Sequence, residues 1–551
     1  MAKSKLRIIP LGGLGEVGKN MTLFEYGNEG LIVDTGIMFP ANDMFGVDYI
    51  IPDFGYLRER SELKIHGVLY THGHEDHIGA ARHVVSEFPG LKLYGTKLTM
   101  GLVEVKLTEA GLLDKAKLNV IEAGDDVKLG PFTAESFHVC HSIPGCLGFG
   151  INTPYGIIIH TGDYKFDNTP VGGKKPDYAR LADFSHRGVK LLMGDSTNAM
   201  SDGWTPSESV ITPAFERVFS KAKGRIIVAT FASLISRVQQ VVWTAKKYGR
   251  HIAFAGYSMR RNVDMAIELG ILDVPEGMII DLNKIDNYQP SKVTVMATGS
   301  QGEPSAVLSR MSMGRHRLEV RSDDTIILSS HPIPGNEEMV ARIINDLFRR
   351  GANVVYDPLE DVHVSGHGNR EEMRLMLNLT QPEHVLPVHG ELRMLKAHAD
   401  LAVESGVPRD KVFVVENGTV VEVDDKGIQV AERVPGGYVF VDGTGVGDVG
   451  RAVLRDREIL SQDGFVIVIA DVDTRKKRLV RDPEIISRGF VYLRQAGDLM
   501  DKITDAVDTT VRNANGANRN RMQEKIEDAL AQMLYHETKR RPMVFSVVNE
   551  R

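Results

Sequence analysis

Short apolar runs closed by Gly, Asp or Thr recur through the first part of the chain. Residues 6–11 (LRIIPL), 21–26 (MTLFEY), 30–34 (GLIVD), 65–70 (IHGVLY) and 156–160 (GIIIH) carry the β-branched and apolar residues that favour strands. Between them, 79–88 (GAARHVVSEF) and 96–112 space their apolar residues as helices do. Near Ser207 the rhythm changes to helix 207–222, strand 224–230, helix 233–248, strand 251–255 and helix 258–269, with later strands at 292–297 and 324–329. Alternation of that kind predicts a parallel, doubly wound layer. After SGHGNREEMRLMLNLTQPEHVLPVHGE (365–391) strands return, and ERVPGGYVFVDGTGVGDVG (432–450) reads as a Gly-rich connector. The last segment carries a strand at 464–470, helices at about 497–513 and 519–535, and a strand at 543–548. The whole is an α/β chain with an inserted doubly wound layer and a small α+β end.

At 551 residues the chain exceeds what one hydrophobic core supports, so two or three domains are expected. Hydrophobic residues at 42% and charged residues at 25% are the balance of a globular protein. The opening MAKSKLRIIPLGGLGEVGKN has no apolar segment followed by a small-residue cleavage site, and no apolar run approaches the roughly 20 residues of a membrane span. A cytoplasmic protein without membrane association is expected. Cys140 and Cys146 rule out a disulfide framework as the organising device; they are read as buried small hydrophobes, with metal ligation the alternative. The net charge of −7 argues against a broadly basic polyanion binder, yet the segment Arg451–Arg551 holds 19 Lys and Arg against 16 Asp and Glu, which leaves room for a local basic surface.

The densest chemistry lies in LYTHGHEDHIG (69–79), which places His72, His74, Asp76 and His77 directly after an apolar strand. The carboxyl end of a strand is a usual place for ligands in α/β proteins. In an extended loop His72 and His74 face one side, while Asp76 and His77 turn to a second point, so one motif predicts two metals. Other strand ends supply the missing ligands: His141 in FHVCHSIPG for the first ion, His389 in HVLPVHGE for the second, and Asp163 in IIIHTGDYKFD as a bridge. His138 and His160 are read as strand or supporting residues. Imidazole and carboxylate donors suit two divalent ions, Zn²⁺ above all, with Mn²⁺ or Mg²⁺ as alternatives. Two ions at such a spacing activate water and clamp the oxygens of a scissile phosphate. Hydrolysis is the implied chemistry. LGGLGEVGKN is Gly-rich and ends in Lys, but its spacing fails the nucleotide-loop pattern, so a turn near the metals is the better reading.

In this order THGHEDH, CHSIPG, TGDYKFD and VHGE resemble the metallo-β-lactamase fold, while GDSTNA, TFAS, TGSQGEP and HVSGHGNREE resemble its nucleic-acid-cleaving β-CASP branch. The similarity to the bacterial ribonuclease J family runs from IIPLGGLGEVGKN to RDPEIISRGFVY and RPMVFSVV. It implies an αββα metallo-β-lactamase sandwich in two parts, 1–206 and 371–431, interrupted by a β-CASP domain at 207–370. A linker at 432–450 then leads to a C-terminal domain at 451–551 that supports dimerisation. It further implies a ribonuclease that works 5′ to 3′ as an exonuclease on 5′-monophosphorylated RNA and also cuts internally, in RNA maturation and mRNA decay. The implied partners are RNA, a homodimer or homotetramer of this chain, and other RNA-decay proteins.

The family pattern places His72, His74 and His141 on one metal, Asp76, His77 and His389 on the other, and Asp163 on both. Asp195 in GDSTNA matches a carboxylate that holds a histidine in its metal-binding tautomer, and His367 in SGHG matches a proton donor to the leaving oxygen. His363, Val364, Ser365, Gly366 and His367 (HVSGH) are implied as the RNA-backbone loop. Ser233 and Ser300 sit where free N–H groups gather and are read as phosphate donors, with helix capping as the alternative. Leu234 and Ser236 depart from the Asn and His of many relatives. That departure is expected to bear on end recognition and to leave the metal ligands untouched. A further structural cation is expected near Asp48 and Asp442. Two other readings stay open: a di-zinc small-molecule hydrolase of the lactonase or thioesterase type, which explains HGHEDH but not the insertion, and a binding protein with a degenerate site.

Overall fold

The fold is that of a computed structural model, which describes residues 4–551 apart from Asn42, Pro304, Pro334, Pro358, 491–496 and 515–517. Pro304, the end of TGSQGEP, and Val491 and Tyr492, the end of RDPEIISRGFVY, thus lie outside the described residues.

The chain forms two compact units, one of Met1–Phe39 with Tyr49–Val439, the other of Pro40–Asp48 with Phe440–Arg551. Two sheets build the base of the first. An eight-stranded sheet runs in the order Gly427–Arg433, Thr419–Asp424, Leu6–Gly12, Met21–Tyr26, Glu29–Val33, Lys64–Leu69, Leu91–Gly95, Ala116–Val120. A six-stranded sheet runs Val385–Val388, Val189–Asp195, Gly156–His160, Cys146–Thr153, Phe132–Val139, Asp126–Leu129. Apolar residues of both sheets, among them Ile8, Phe24, Leu31 and Leu69 from one and Phe132, Phe149, Ile158 and Leu191 from the other, close a common buried core. Central strands such as Leu6–Gly12 are apolar at nearly every position because both faces are covered. Gly427–Arg433 is largely exposed and carries Gln429, Glu432 and Arg433, charges and polar groups that suit an edge.

Strand direction is what positions the site. Val189–Asp195 pairs parallel with both Gly156–His160 and Val385–Val388, and Phe132–Val139 runs the same way, being two antiparallel steps from Gly156–His160. In the other sheet Glu29–Val33 and Lys64–Leu69 are parallel. Chain segments leaving these strands therefore emerge at common edges.

The insertion is a five-stranded parallel sheet in the order His251–Ala255, Val293–Ala297, Ile226–Ala229, Thr325–Leu328, Asn353–Val355. Its own core includes Ile227, Val295, Ile326 and Leu347. The predicted elements recur there with ends shifted by at most two residues, except that the expected helix 207–222 divides into a 3₁₀ turn, Glu208–Val210, and helix Ile211–Lys221; His251–Ala255 coincides with its expected span.

In the second unit Phe465–Asp473 pairs antiparallel with Glu484–Arg488 and parallel with Met543–Glu550, against helices Gly497–Asn513 and Arg519–Thr538. Strands Arg478–Leu479 and Glu484–Arg488 are additional to the sequence reading, and two further features differ from it. The Gly-rich connector holds the short strands Tyr438–Asp442 and Gly445–Val446. A helix absent from the sequence reading spans Arg451–Asp463; it buries none of its residues, and its apolar Val453 and Leu460 lie exposed.

Candidate metal centre

Strand Lys64–Leu69 delivers His72 and His74 on a short loop, and His74 stands in extended conformation as the cap of a single helical turn, Glu75–Ile78. Asp76 and His77 lie on that turn rather than on the extended loop expected, and the turn is what swings them to a second point. Gly73 permits the close pass: a Cβ there would stand 2.5 Å from Leu102. His141 follows Phe132–Val139, Asp163 follows Gly156–His160, Asp195 ends Val189–Asp195 and His389 follows Val385–Val388.

These side chains converge as two groups, His72 with His74 and His141, and Asp76 with His77, Asp163 and His389, and a third set, Asp163 with Asp195, His367 and His389, overlaps the second. In the first, His74 Nδ1 is 3.0 Å from His72 Nε2 and 3.2 Å from His141 Nε2. In the second, His77 Nε2 is 3.1 Å from Asp163 Oδ2 and 3.5 Å from Asp76 Oδ2, which is 3.4 Å from His389 Nε2. Tetrahedral nitrogen ligands on one zinc-sized ion stand about 3.3 Å apart. Asp163 Oδ2 is also 3.7 Å from His72 Nε2 and 3.8 Å from His141 Nε2, between the groups as a bridge requires. His389 Nε2 is buried without a hydrogen-bond partner among the described residues. An orphaned ring nitrogen and convergent lone pairs are what a cation satisfies, so the residues fit two divalent ions.

Supporting groups aim the rings. Asp34, at the end of Glu29–Val33, accepts from His77 Nδ1 at 2.8 Å and from Thr71 N and Oγ1, each at 2.8 Å. That leaves His77 Nε2 for the ion. His141 Nδ1 lies 2.7 Å from the carbonyl oxygen of Gly366, so the HVSGH loop holds a ligand through its backbone. A Cβ at Gly366 would stand 2.5 Å from that imidazole. Asp34 and His389 are both left-handed non-glycine residues, at φ 60° and 51°. Strain of this kind collects at functional sites.

Charge follows position. Burial keeps His72 and His141 well below the ordinary histidine range, and His74 at about 4, so all three present lone pairs at neutral pH. Asp76 and Asp163 are held well below the carboxylate range: burial opposes their charge, but His77 and His389 overcome it. Burial likewise opposes protonation of His367, while Asp195 and Asp163 raise it above the usual value. His367 Nδ1 is 2.8 Å from Asp195 Oδ2 and 3.9 Å from Asp163 Oδ2, beside the centre. Asp195 thus orients His367; its distance to His389 Nδ1 is 3.9 Å.

The loop is braced from several sides. Ser365 Oγ accepts from Asn198 Nδ2 at 2.9 Å and from His367 N at 3.1 Å, and Ser365 O accepts from Lys165 Nζ at 3.0 Å. Arg237, fully buried, donates to Val362 O and pairs with Glu208 at 2.8 Å. Val364 is buried, and His363 packs 4.6 Å from the ring of His331. Ser233 follows strand Ile226–Ala229 and Ser300 follows Val293–Ala297, neighbours in one parallel sheet. Neither side chain is hydrogen-bonded to the metal-site residues among the described residues. Leu234 occupies the cap of helix Ile235–Lys247 without a side-chain cap bond. Ser236 Oγ donates to Ser142 O at 2.5 Å, one residue beyond His141, so this departure does reach the neighbourhood of a ligand.

Asp34 was missed in the sequence, although GLIVD ends on it; so were Lys165, Glu208 and Arg237, whose partners are remote. His138 and His160 fall outside both groups, bonded instead to Lys175 O at 3.0 Å and Gly162 N at 3.2 Å. Cys140 and Cys146 are free, buried thiols. Near Asp48 and Asp442, where the sequence reading places a further cation, Asp48 accepts from Gly443 N at 2.8 Å and Asp442 pairs with Arg457 at 2.6 Å.

Residues 14–198 match the metallo-beta-lactamase superfamily, 223–347 the ribonuclease J beta-CASP domain, 351–415 the Zn-dependent metallo-hydrolase RNA specificity domain and 452–551 the ribonuclease J C-terminal domain. The chain is 39% identical to ribonuclease J2 of Bacillus subtilis over 549 residues, covering 99% of this chain and 98% of the relative. It is 40% identical to ribonuclease J 1 of Streptococcus pyogenes over 557 residues, with the same coverage of 99% and 98%. A crystal structure of an Enterococcus faecalis protein of unknown function shares the fold, with a TM-score of 0.52 at 14% identity over 76% of this chain and all of that one.

Proposed function

The chain belongs to the ribonuclease J family, a metallo-β-lactamase/β-CASP nuclease that hydrolyses RNA with divalent metal, and from that premise we propose that it is a 5′-to-3′ exoribonuclease that also cuts internally. Its preferred substrate is RNA with a 5′ monophosphate, and its work is RNA maturation and mRNA decay. The observation that carries this reading is the 2.7 Å contact between His141 and the Gly366 carbonyl, which joins a metal ligand to the loop that receives the RNA backbone.

His72, His74 and His141 would hold one ion and Asp76, His77 and His389 the second, with Asp163 available to both. We take the ions as Zn²⁺. When bound they supply the Lewis acidity and activated water that phosphodiester hydrolysis needs. His367, whose proton affinity Asp195 and Asp163 raise against burial, is the group we assign to give a proton to the departing oxygen. Asp195 fixes the ring that does so. Ser233, Ser300 and the HVSGH loop are the donors we assign to the strand and its 5′ phosphate. A monophosphate is satisfied by hydroxyl and amide donors, whereas a triphosphate brings charge that these groups do not neutralise. Within the two units we divide the chain into 1–206 with 371–431, an insertion at 207–370, a linker at 432–450 and a C-terminal domain at 451–551, to whose unit Pro40–Asp48 and 440–450 are joined. A homodimer or homotetramer in the cytoplasm is the assembly we assign.

The test is a time course on 5′-labelled and 3′-labelled RNAs carrying either terminus. Monophosphorylated RNA should yield mononucleotides from its 5′ end faster than triphosphorylated RNA of the same sequence. Mononucleotide release from the 3′ end first, or equal rates for both termini, would overturn the reading.

A further inference from the structure

A cavity of about 450 Å³ opens in the inserted layer, lined by Gly256, Tyr257, Leu282, Val307, Arg310, Arg315, His316 and Arg317. Its size is that of a small-ligand site. Arg310 and Arg315 have no ion-pair or side-chain hydrogen-bond partner among the described residues, and no acidic side chain lines the cavity. Arg317 is bonded to the amide oxygen of Asn283, not to a carboxylate. Burial and then the charges of Arg310 and Arg317 lower the pKa of His316, so this imidazole is a neutral neighbour in a positive field. Uncompensated guanidinium groups gathered in a hollow are the signature of a phosphate site.

Position supports this. Gly256 and Tyr257 leave the carboxyl end of strand His251–Ala255, where doubly wound sheets bind ligands. Gly256 caps helix Tyr257–Glu268 with φ 113° and no side chain, so the first N–H groups face outward uncapped. A Cβ on Gly256 would come within 2.7 Å of Thr298 Oγ1. Tyr257 is 71% exposed, a free aromatic face beside the arginines. Strand Ile226–Ala229, whose following helix is tied to Ser142, lies two places away in the same parallel sheet, roughly 10 Å along its edge.

We propose that this cavity binds a phosphate-bearing nucleotide of single-stranded RNA outside the metal centre, with Arg310, Arg315 and Arg317 on the phosphates and Tyr257 stacked on a base. The proposal rests on the ribonuclease reading and adds a second contact to it. No carboxylate stands here to take a ribose hydroxyl or the cation that accompanies a free nucleoside triphosphate, which favours a strand over a free nucleotide.

Anisotropy of a labelled single-stranded RNA, measured in chelator so that nothing is cleaved, tests it. Double replacement Arg310→Glu with Arg315→Glu should weaken binding roughly tenfold and lower the slope of log affinity against log salt by about 2. Tyr257→Ala should weaken binding at unchanged salt slope. Metal-supported hydrolysis of a dinucleotide, too short to reach the cavity, should be unaltered in all these variants. All replaced side chains are at the surface, and thermal melting checks that the fold survives. Wild-type RNA affinity and salt slope in the double variant would overturn the proposal while leaving the ribonuclease reading intact. Adenosine diphosphate binding that the double variant loses, with RNA affinity unchanged, would make this a free-nucleotide site and also overturn it. Failure of the wild-type chain to bind or cleave any RNA would overturn both readings together.

Discussion

His367 and Asp34 show how much a single side chain does at this centre. His367 faces two carboxylates, Asp195 at 2.8 Å and Asp163 at 3.9 Å, and both raise its affinity for a proton against the effect of burial. His367→Ala should therefore slow the single-turnover chemical step by roughly 10²–10⁴ while RNA affinity falls far less. An unchanged single-turnover rate would reduce His367 to a loop-ordering residue. Asp34 never meets the substrate, yet it fixes the tautomer of His77 and the loop at Thr71 together. Asn tolerates the left-handed backbone at φ 60° and keeps the volume, but it replaces one anionic acceptor by a donor. Asp34→Asn should lower metal affinity by roughly 10–100-fold, read by competition with a chromogenic chelator. Wild-type affinity would show that His77 is oriented without it.

Elements bring in what residues cannot. Helix Leu392–Glu404 lies after His389, and its His398 packs under Gly194 and bonds to Ser196 at 2.9 Å. Burial lowers its pKa to about 4 from 6.5. The folded chain thus holds His398 neutral where the unfolded chain would protonate it. Stability is unaffected above the unfolded value, falls as pH drops from 6.5 towards about 4, and levels below. His398→Gln removes that titration. Denaturant midpoints should show wild type losing about 2 kcal/mol more than the variant between about pH 7 and about pH 5. Equal losses would place the acid sensitivity elsewhere. Element by element, strands such as Met21–Tyr26 and Gly156–His160 were readable because each is a short apolar run ended by a turn residue, whereas Cys146–Thr153 and Val189–Asp195 went unread. The turn Glu75–Ile78 was not readable either, since four residues are too few to display a helical period. Helix Arg451–Asp463 escaped for a different reason: it is long enough, but its apolar residues, Val453 and Leu460 among them, are few, interleaved with charges and left unburied.

For the molecule as a whole, the second unit has its own buried core of Val466, Val468, Ile503, Ile526 and Leu530, and the assembly assigned above is open to direct measurement. Light scattering of the purified chain should return twice or four times the chain mass at micromolar concentration. A monomer would remove the assigned assembly. Much of the chemistry was visible before any fold. His72, His74, Asp76 and His77 lie within one motif, and His141, Asp163 and His389 each close a strand, so residue type and local pattern were enough to single them out. Their grouping was not a local matter. His141 meets the carbonyl of Gly366 across 225 positions and His389 meets Asp163 across 226. Such contacts depend on which strands lie side by side and which way they run, and neither is encoded in the propensity of any one segment. The same holds for Asp34 behind His77, for Ser236 on Ser142, and for unpaired arginines that form a cavity only once the inserted sheet has wound.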